Sequence, residues 1–209
     1  MKNIFLAMVS FMLACNVSAA PFVNGKQFIT LNKPVTATPQ VLEFFSFFCP
    51  HCYEFEKAWC SHQTVRKDFF LHSKIVKYHI INFGGEMGKI LTHAWAMAII
   101  MGVEEKVIFP IFEGLLSKHT ITDSLSLKKA FVNATGIKSE EYDTGWNTPI
   151  VLALLEKQKK ISKEVNLPGV PTMLINGKYI VNSDRLDTSS IHAYIHQYAN
   201  IVRYLLGQK

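Results

Sequence analysis

The 209-residue sequence has little that would make it a membrane, metal-storage or nucleic-acid protein, and each shortage narrows the field. No apolar run reaches the roughly 20 residues needed to cross a bilayer. The longest, Ala94 to Val103, is about half that length and reads as a buried helix. Internal repeats and low-complexity segments are missing. Basic residues are scattered without the interleaved aromatics that nucleic-acid grooves use, so no nucleic acid is expected as a partner. The densest basic cluster, Lys157-Gln158-Lys159-Lys160, reads as a solvated helix face. Cysteine is scarce at four residues, of which only Cys49, Cys52 and Cys60 lie beyond position 15.

The first stretch is laid out as a cleavable export signal. Lys2 gives a short positive start, Ile4 to Leu13 is almost wholly apolar, and Val17-Ser18-Ala19 is a small-residue cleavage pattern. Cleavage is expected near Ala19, which assigns residues 1–19 to the signal and lowers the net charge from +6 to +5 as Lys2 leaves. Cys15 leaves as well. Its setting, Met12-Leu13-Ala14-Cys15, fits a lipoprotein box poorly. An exported chain meets an oxidising compartment, where a reactive dithiol persists as a disulfide.

Along the mature chain, Lys26–Leu31 and Val41–Phe48 read as strands, the second apolar on both faces as a central strand would be. It runs into Cys49-Pro50-His51-Cys52 and then a helix-like segment from Tyr53 to Phe70. Ile75–Ile81 reads as the next strand. Helical periodicity takes over at Leu91–Met101, Lys106–Leu116, Leu125–Ala134 and Thr148–Val165. Pro171–Ile175 and Lys178–Val181 flank Asn176-Gly177, a hairpin turn signal, and Ser189–Leu206 closes the chain as a helix. This order predicts an α/β domain whose sheet is split in sequence by inserted helices. The expected boundaries are 20–81 with 159–209 for the sheet domain and 82–158 for the helical insertion.

The C-x-x-C at a strand-to-helix junction carries the chemistry. Cys49 falls at the helix N-cap and Pro50 at the first helical position, where its missing N–H is tolerated. Unsatisfied amides, the helix dipole and a protonated His51 all favour a negative sulfur and lower the Cys49 pKa. A stabilised thiolate makes the dithiol the favoured state, so the disulfide readily passes its oxidation on. Cys52 is expected to be the more buried partner.

Other readings of the cysteines are weaker. The spacing C-x2-C-x7-C-x-H formed with Cys60 and His62 invites zinc. On one continuous helix, however, Cys49 and Cys60 would lie roughly 16 Å apart at 1.5 Å per residue, whereas zinc-bound sulfurs sit about 4 Å apart. No metal is expected. Haem attachment would need His where Tyr53 stands. Cys60 itself reads as a small buried hydrophobe.

The run Leu42-Glu43-Phe44-Phe45-Ser46-Phe47-Phe48-Cys49-Pro50-His51-Cys52-Tyr53 closely resembles the DsbA family of periplasmic disulfide oxidases. So do Gly25-Lys26-Gln27, Thr92-His93-Ala94-Trp95-Ala96, Phe112-Glu113-Gly114, Glu141-Tyr142-Asp143, Gly169-Val170-Pro171 and Asn176-Gly177-Lys178-Tyr179, in order across the mature chain. The resemblance implies a thioredoxin fold with an inserted all-helical domain and a redox-active Cys49–Cys52 disulfide. By it, Cys49 is the nucleophile, Cys52 the resolving thiol and His51 the stabiliser of the Cys49 thiolate. Val170-Pro171 corresponds to a cis-proline loop that faces the dithiol and meets extended substrate. Glu43 and Lys77, lone charges in apolar strands, match a buried acid–base pair beneath the site.

It further implies a periplasmic monomer without cofactor, acting on unfolded secreted proteins with free cysteines and reoxidised by a DsbB-like membrane quinone reductase. The family's groove loop is richer in Pro and Gln than residues 181–188 here, and Trp59 and Tyr194 are bulkier than usual near that groove. The alternatives are an isomerase or reductase on the same fold, and a non-catalytic binding module.

Overall fold

A computed structural model describes residues 21–61 and 75–208. The expected signal segment, the outer part of the helix expected to reach Phe70, and His62 all lie outside the described residues. Five strands form one sheet: β1 (Phe28–Thr30), β2 (Val41–Phe45), β3 (Ile75–His79), β4 (Thr172–Ile175) and β5 (Tyr179–Val181). Their order across the sheet is β1-β5-β4-β2-β3. The β2–β3 pair is parallel and the other pairs are antiparallel.

Seven helices surround the sheet among the described residues: α1 (Pro50–Ser61), α2 (Gly85–Met101), α3 (Glu104–Leu116), α4 (Ser124–Thr135), α5 (Ser139–Trp146), α6 (Pro149–Glu164) and α7 (Ile191–Leu206). Residues that sequence splits are thus reunited. β2 from the first half of the chain pairs with β4 from the last third, and α2 to α6 intervene.

β2 is buried along its whole length because both its faces are covered. Side chains alternate across it. Val41 joins Phe55, Trp59, Met173, Tyr198 and Val202 in a layer beneath α1 and α7, while Leu42 and Phe44 join Tyr78, Leu174 and Ile180 on the face that meets α6. A third cluster fills the helical block around Leu91, Trp95, Ile111, Phe112 and Phe131, and it takes in Phe45, Phe47 and Cys52. The helical core therefore continues without a break up to the start of α1.

Local chemistry sets the boundaries. The β4–β5 hairpin turns at Asn176 (φ 50°) and Gly177 (φ 66°), the positive-φ pair that a tight primed turn requires. The Asn176 side chain also ties the hairpin down, accepting from Gln40 N at 3.0 Å. α4 begins with a reciprocal capping box between Asp123 and Ser126.

Four features depart from the sequence pattern. The strand expected over Val41–Phe48 stops at Phe45, because an apolar run does not mark where backbone pairing ends; Ser46-Phe47-Phe48 form the turn into α1. The helix α5 was not anticipated, since its eight residues bury only Tyr142 and offer no apolar period. The basic cluster at 157–160 is not wholly solvated: Gln158 is fully buried, and its Oε1 accepts the amide of His79 at 3.1 Å. The expected junction between residues 158 and 159 falls inside α6, an unbroken helix.

Candidate active site

The site is built where β2 ends. Ser46 O accepts the amide of Cys49 at 3.0 Å, turning the chain so that α1 starts at Pro50. Phe47 N donates to His79 Nε2 at 3.1 Å, and His79 Nδ1 lies 2.8 Å from Thr92 Oγ1, whose hydroxyl donates to Gly88 O. This chain of bonds fixes His79 as the neutral Nδ1–H tautomer. Burial pushes its pKa down to about 3, so it stays neutral and pins the turn.

Cys49 occupies the cap of α1. Its carbonyl accepts from Cys52 N at 3.1 Å and Tyr53 N at 3.2 Å, and its sulfur accepts a second approach of the Cys52 N–H at 3.2 Å. The sulfur does what a capping oxygen does in other helices. On its other side, the Cys49 S–H donates to Val170 O at 3.4 Å, and the Val170–Pro171 bond is cis. The Val170-Pro171 loop and the dithiol are therefore neighbours, although 121 positions apart in sequence. Both cysteines are thiols, the reduced state of the expected Cys49–Cys52 pair.

The two sulfurs are driven apart in acidity. Cys49 is lowered from 9.0 to about 6, first by the Cys52 thiol hydrogen-bonded to it; burial opposes this, and the Cys52 amide, the His51 charge and the His51 amide add to it. The imidazolium thus contributes less than the hydrogen bonds from Cys52. His51 itself is exposed. Cys52 is only 3% exposed, and burial, reinforced by the adjacent Cys49 sulfur, pushes its thiol far above the ordinary range.

Beneath the dithiol lies a layer of charge. Glu43 and Lys77 are register partners on β2 and β3, with Oε2 and Nζ 3.4 Å apart. Lys77 also bonds Glu56 of α1, which sequence reasoning missed. Glu56 falls on the same helical stripe as Cys52 and Cys60, four positions from each, and that spacing was the available signal. The Cys60 thiol lies 3.5 Å from Glu56 Oε1, so Cys60 belongs to this polar layer as well as to the helix surface. Burial raises Glu43 to about 7, with Lys77 opposing and the Glu56 charge adding. For Lys77, burial pulls down but the two carboxylates prevail and hold it above its usual value.

An open cleft of about 370 Å³ borders the dithiol, lined among others by His51, Phe55, Val170, Pro171, Asp184 and Tyr194. The 181–188 loop contributes Ser183, Asp184 and Thr188 to it. Tyr194 stands at this groove as expected. Trp59 does not: it is buried, stacked on Phe55, and lines a separate cavity of about 280 Å³ that opens onto Glu56 and Lys77. Because α1 runs unbroken from Pro50 to Ser61, Cys49 and Cys60 stand at opposite ends of one helix, which removes the spacing argument for zinc. Among the described residues, no helix is long and apolar enough to cross a membrane.

The chain is similar to proteins of known type over its full length. Residues 40–192 match the family model of the DSBA-like thioredoxin domain. "Thiol:disulfide interchange protein DsbA" of Escherichia coli K12 is 47% identical over 209 residues, covering 100% of both chains. The Salmonella typhi protein of the same name is 46% identical with the same coverage. Among solved structures, Proteus mirabilis DsbA with a non-covalently bound peptide matches at TM-score 0.81 and 38% identity, covering 90% of this chain and 100% of that one. DsbA from Klebsiella pneumoniae matches at TM-score 0.81 and 34% identity, covering 91% and 100%. The fold is accordingly α/β, a thioredoxin fold with an inserted all-helical domain, and the chain belongs to the DSBA-like thioredoxin domain family.

Proposed function

We propose that this chain is a thiol:disulfide oxidase that donates a Cys49–Cys52 disulfide to newly exported proteins. The observation that carries the reading is the Cys49 sulfur held as a helix cap, with the Cys52 thiol and amide directed at it and its pKa lowered to about 6. At pH 7 such a thiol is ionised roughly ten to one. A dithiol stabilised in this way leaves the disulfide as the reactive state.

In the exchange, a substrate thiolate attacks Cys49 Sγ. The Cys49–Cys52 bond breaks, and Cys52 Sγ leaves with the electron pair and takes up a proton. A second substrate thiolate then attacks the substrate sulfur of the mixed disulfide, and Cys49 departs as the stabilised thiolate. The substrate loses two electrons and the dithiol gains them; no metal or organic cofactor enters. Pro50 starts the helix whose amides face the departing sulfur, and His51 adds charge at the rim.

Val170 and Pro171 form the wall against which an extended substrate segment lies, with the Val170 backbone beside the reacting sulfur. Glu43, raised to about 7, supplies the proton that Cys52 needs, while Lys77 compensates the carboxylates around it. The chain acts as a periplasmic monomer on unfolded secreted proteins with free cysteines, and a DsbB-like membrane quinone reductase restores the disulfide.

Equilibration with glutathione tests the assignment. The expected outcome is a pair that is reduced by a small amount of reduced glutathione. A pair that stays oxidised in modest reduced glutathione would instead mark a reductase or isomerase. Cys49→Ser is expected to abolish substrate oxidation; retained oxidation would sink the role given to that sulfur.

A further inference from the structure

Tyr198 is a buried ionisable group that the exchange leaves unused. It is fully buried in the layer between the sheet and helices α1 and α7. Its ring lies 5.2 Å from that of Phe55 and 5.8 Å from that of Tyr194, one helical turn earlier at the wall of the cleft. Its hydroxyl hydrogen has no acceptor; only the Met173 backbone amide leans on its oxygen, short of a full hydrogen bond. A buried donor left unpaired is unfavourable, and phenylalanine would fill the same space without that penalty. The hydroxyl is placed next to the redox chemistry. Met173, whose backbone borders the phenol, is the register partner of Glu43, and Glu43 and Cys52 are both close enough to act on it electrostatically. The ionisable groups around this layer are Glu43 from β2, Lys77 from β3, Cys52, Glu56 and Cys60 from α1, and Tyr194 from α7.

Charge accounting shows when the hydroxyl is needed. With Glu43 protonated, Glu56 and Lys77 balance. Once Glu43 gives its proton to the departing Cys52 sulfur, two carboxylates face one ammonium and the layer holds a net negative charge away from water. An unengaged O–H in the same layer is suited to meet it. We infer that the Tyr198 hydroxyl is the donor that receives the Glu43 carboxylate after this proton transfer, which makes Tyr198 a positioning residue for the proton step. The inference rests on the assignment of Glu43 as the proton source.

The test is the pH dependence of disulfide reduction by an aromatic thiol that is ionised throughout the range, so that the Glu43 inflection stands alone. In Tyr198→Phe the inflection is expected to move upward by about one pH unit, the effect of losing one hydrogen bond to a carboxylate. Unfolding of both redox states in denaturant should be unchanged or slightly more resistant. An inflection that stays in place overturns the inference, as does a loss of stability without movement of the inflection. Glu43→Gln separates the two claims. It should erase the inflection, and an inflection that survives it overturns the proton-source reading and this inference together. In the unaltered protein, carbon-13 at the Tyr198 ring Cζ should titrate with the same midpoint as the rate; a flat resonance overturns the inference without recourse to a variant.

Discussion

The two faces of the sheet solve the same packing problem in different ways. On the face that meets α6, Leu42 and Phe44 pack against Tyr78, Leu174 and Ile180 without a charge among them. On the other face, one residue away on each strand, Glu43 and Lys77 sit side by side and reach Glu56 of α1. Glu43 and Glu56 are buried as deeply as the apolar residues opposite, and Lys77 is only slightly exposed, so exposure alone does not explain the difference. What distinguishes them is the dithiol at the top of α1. Charge is kept beneath the sulfurs and excluded elsewhere, and buried ion pairs of this sort seldom add stability over well-packed apolar residues.

Substitutions on the two faces should therefore fail in different ways. Phe44→Ala is expected to destabilise by about 3–5 kcal/mol through the cavity it leaves, equally in the dithiol and disulfide forms and with little dependence on pH. Lys77→Met should destabilise by a similar amount, about 3–5 kcal/mol, because it strands two carboxylates. Its loss should shrink as pH falls from about 7 toward 4.5, the window in which Glu43 takes up its proton in the folded chain before it does in the unfolded one. Denaturant unfolding at several pH values measures both. An equal, pH-independent loss on the two faces would erase the contrast.

A comparable effect separates the redox forms. Cys49 titrates near 9.0 when unfolded and about 6 when folded, so its stabilisation of the dithiol form is complete above about 9 and is lost as pH falls through 6. The disulfide form has no such thiol. The gap between the unfolding midpoints of the two forms should widen in favour of the dithiol as pH rises from 6 to 9. A gap that stays constant over that window would contradict the depressed value. The finest distinction lies within α1: Cys52→Ala should raise the Cys49 pKa more than His51→Ser does, read by thiolate ultraviolet absorbance, because the hydrogen bond from Cys52 outranks the His51 charge.

Much of this was legible in the sequence. Cys49 and Cys52 announce themselves by spacing at a strand-to-helix junction, and Glu43 and Lys77 by being lone charges in apolar strands. Asn176-Gly177 marks its hairpin because only a few residues accept two positive φ values. What escaped depended on contacts far apart in the chain. Glu56 looks like any helix-surface acid until α1 docks on the sheet, and Gln158 is hidden among lysines although it bonds His79. The family resemblance puts Trp59 near the groove, yet its place on α1 turns it toward Lys77 instead. Periodicity reports which residues are covered, not what covers them.

The amide that leans on the Cys49 sulfur has a practical consequence. The Cys52 N–H is shared between the Cys49 carbonyl and sulfur, and the sulfur's share grows with its electron density, so exchange with heavy water should be slowest when Cys49 is anionic and should quicken when that sulfur is tied to a guest chain. One backbone position thus serves as an internal gauge of turnover, readable without a dye, a label or an altered residue.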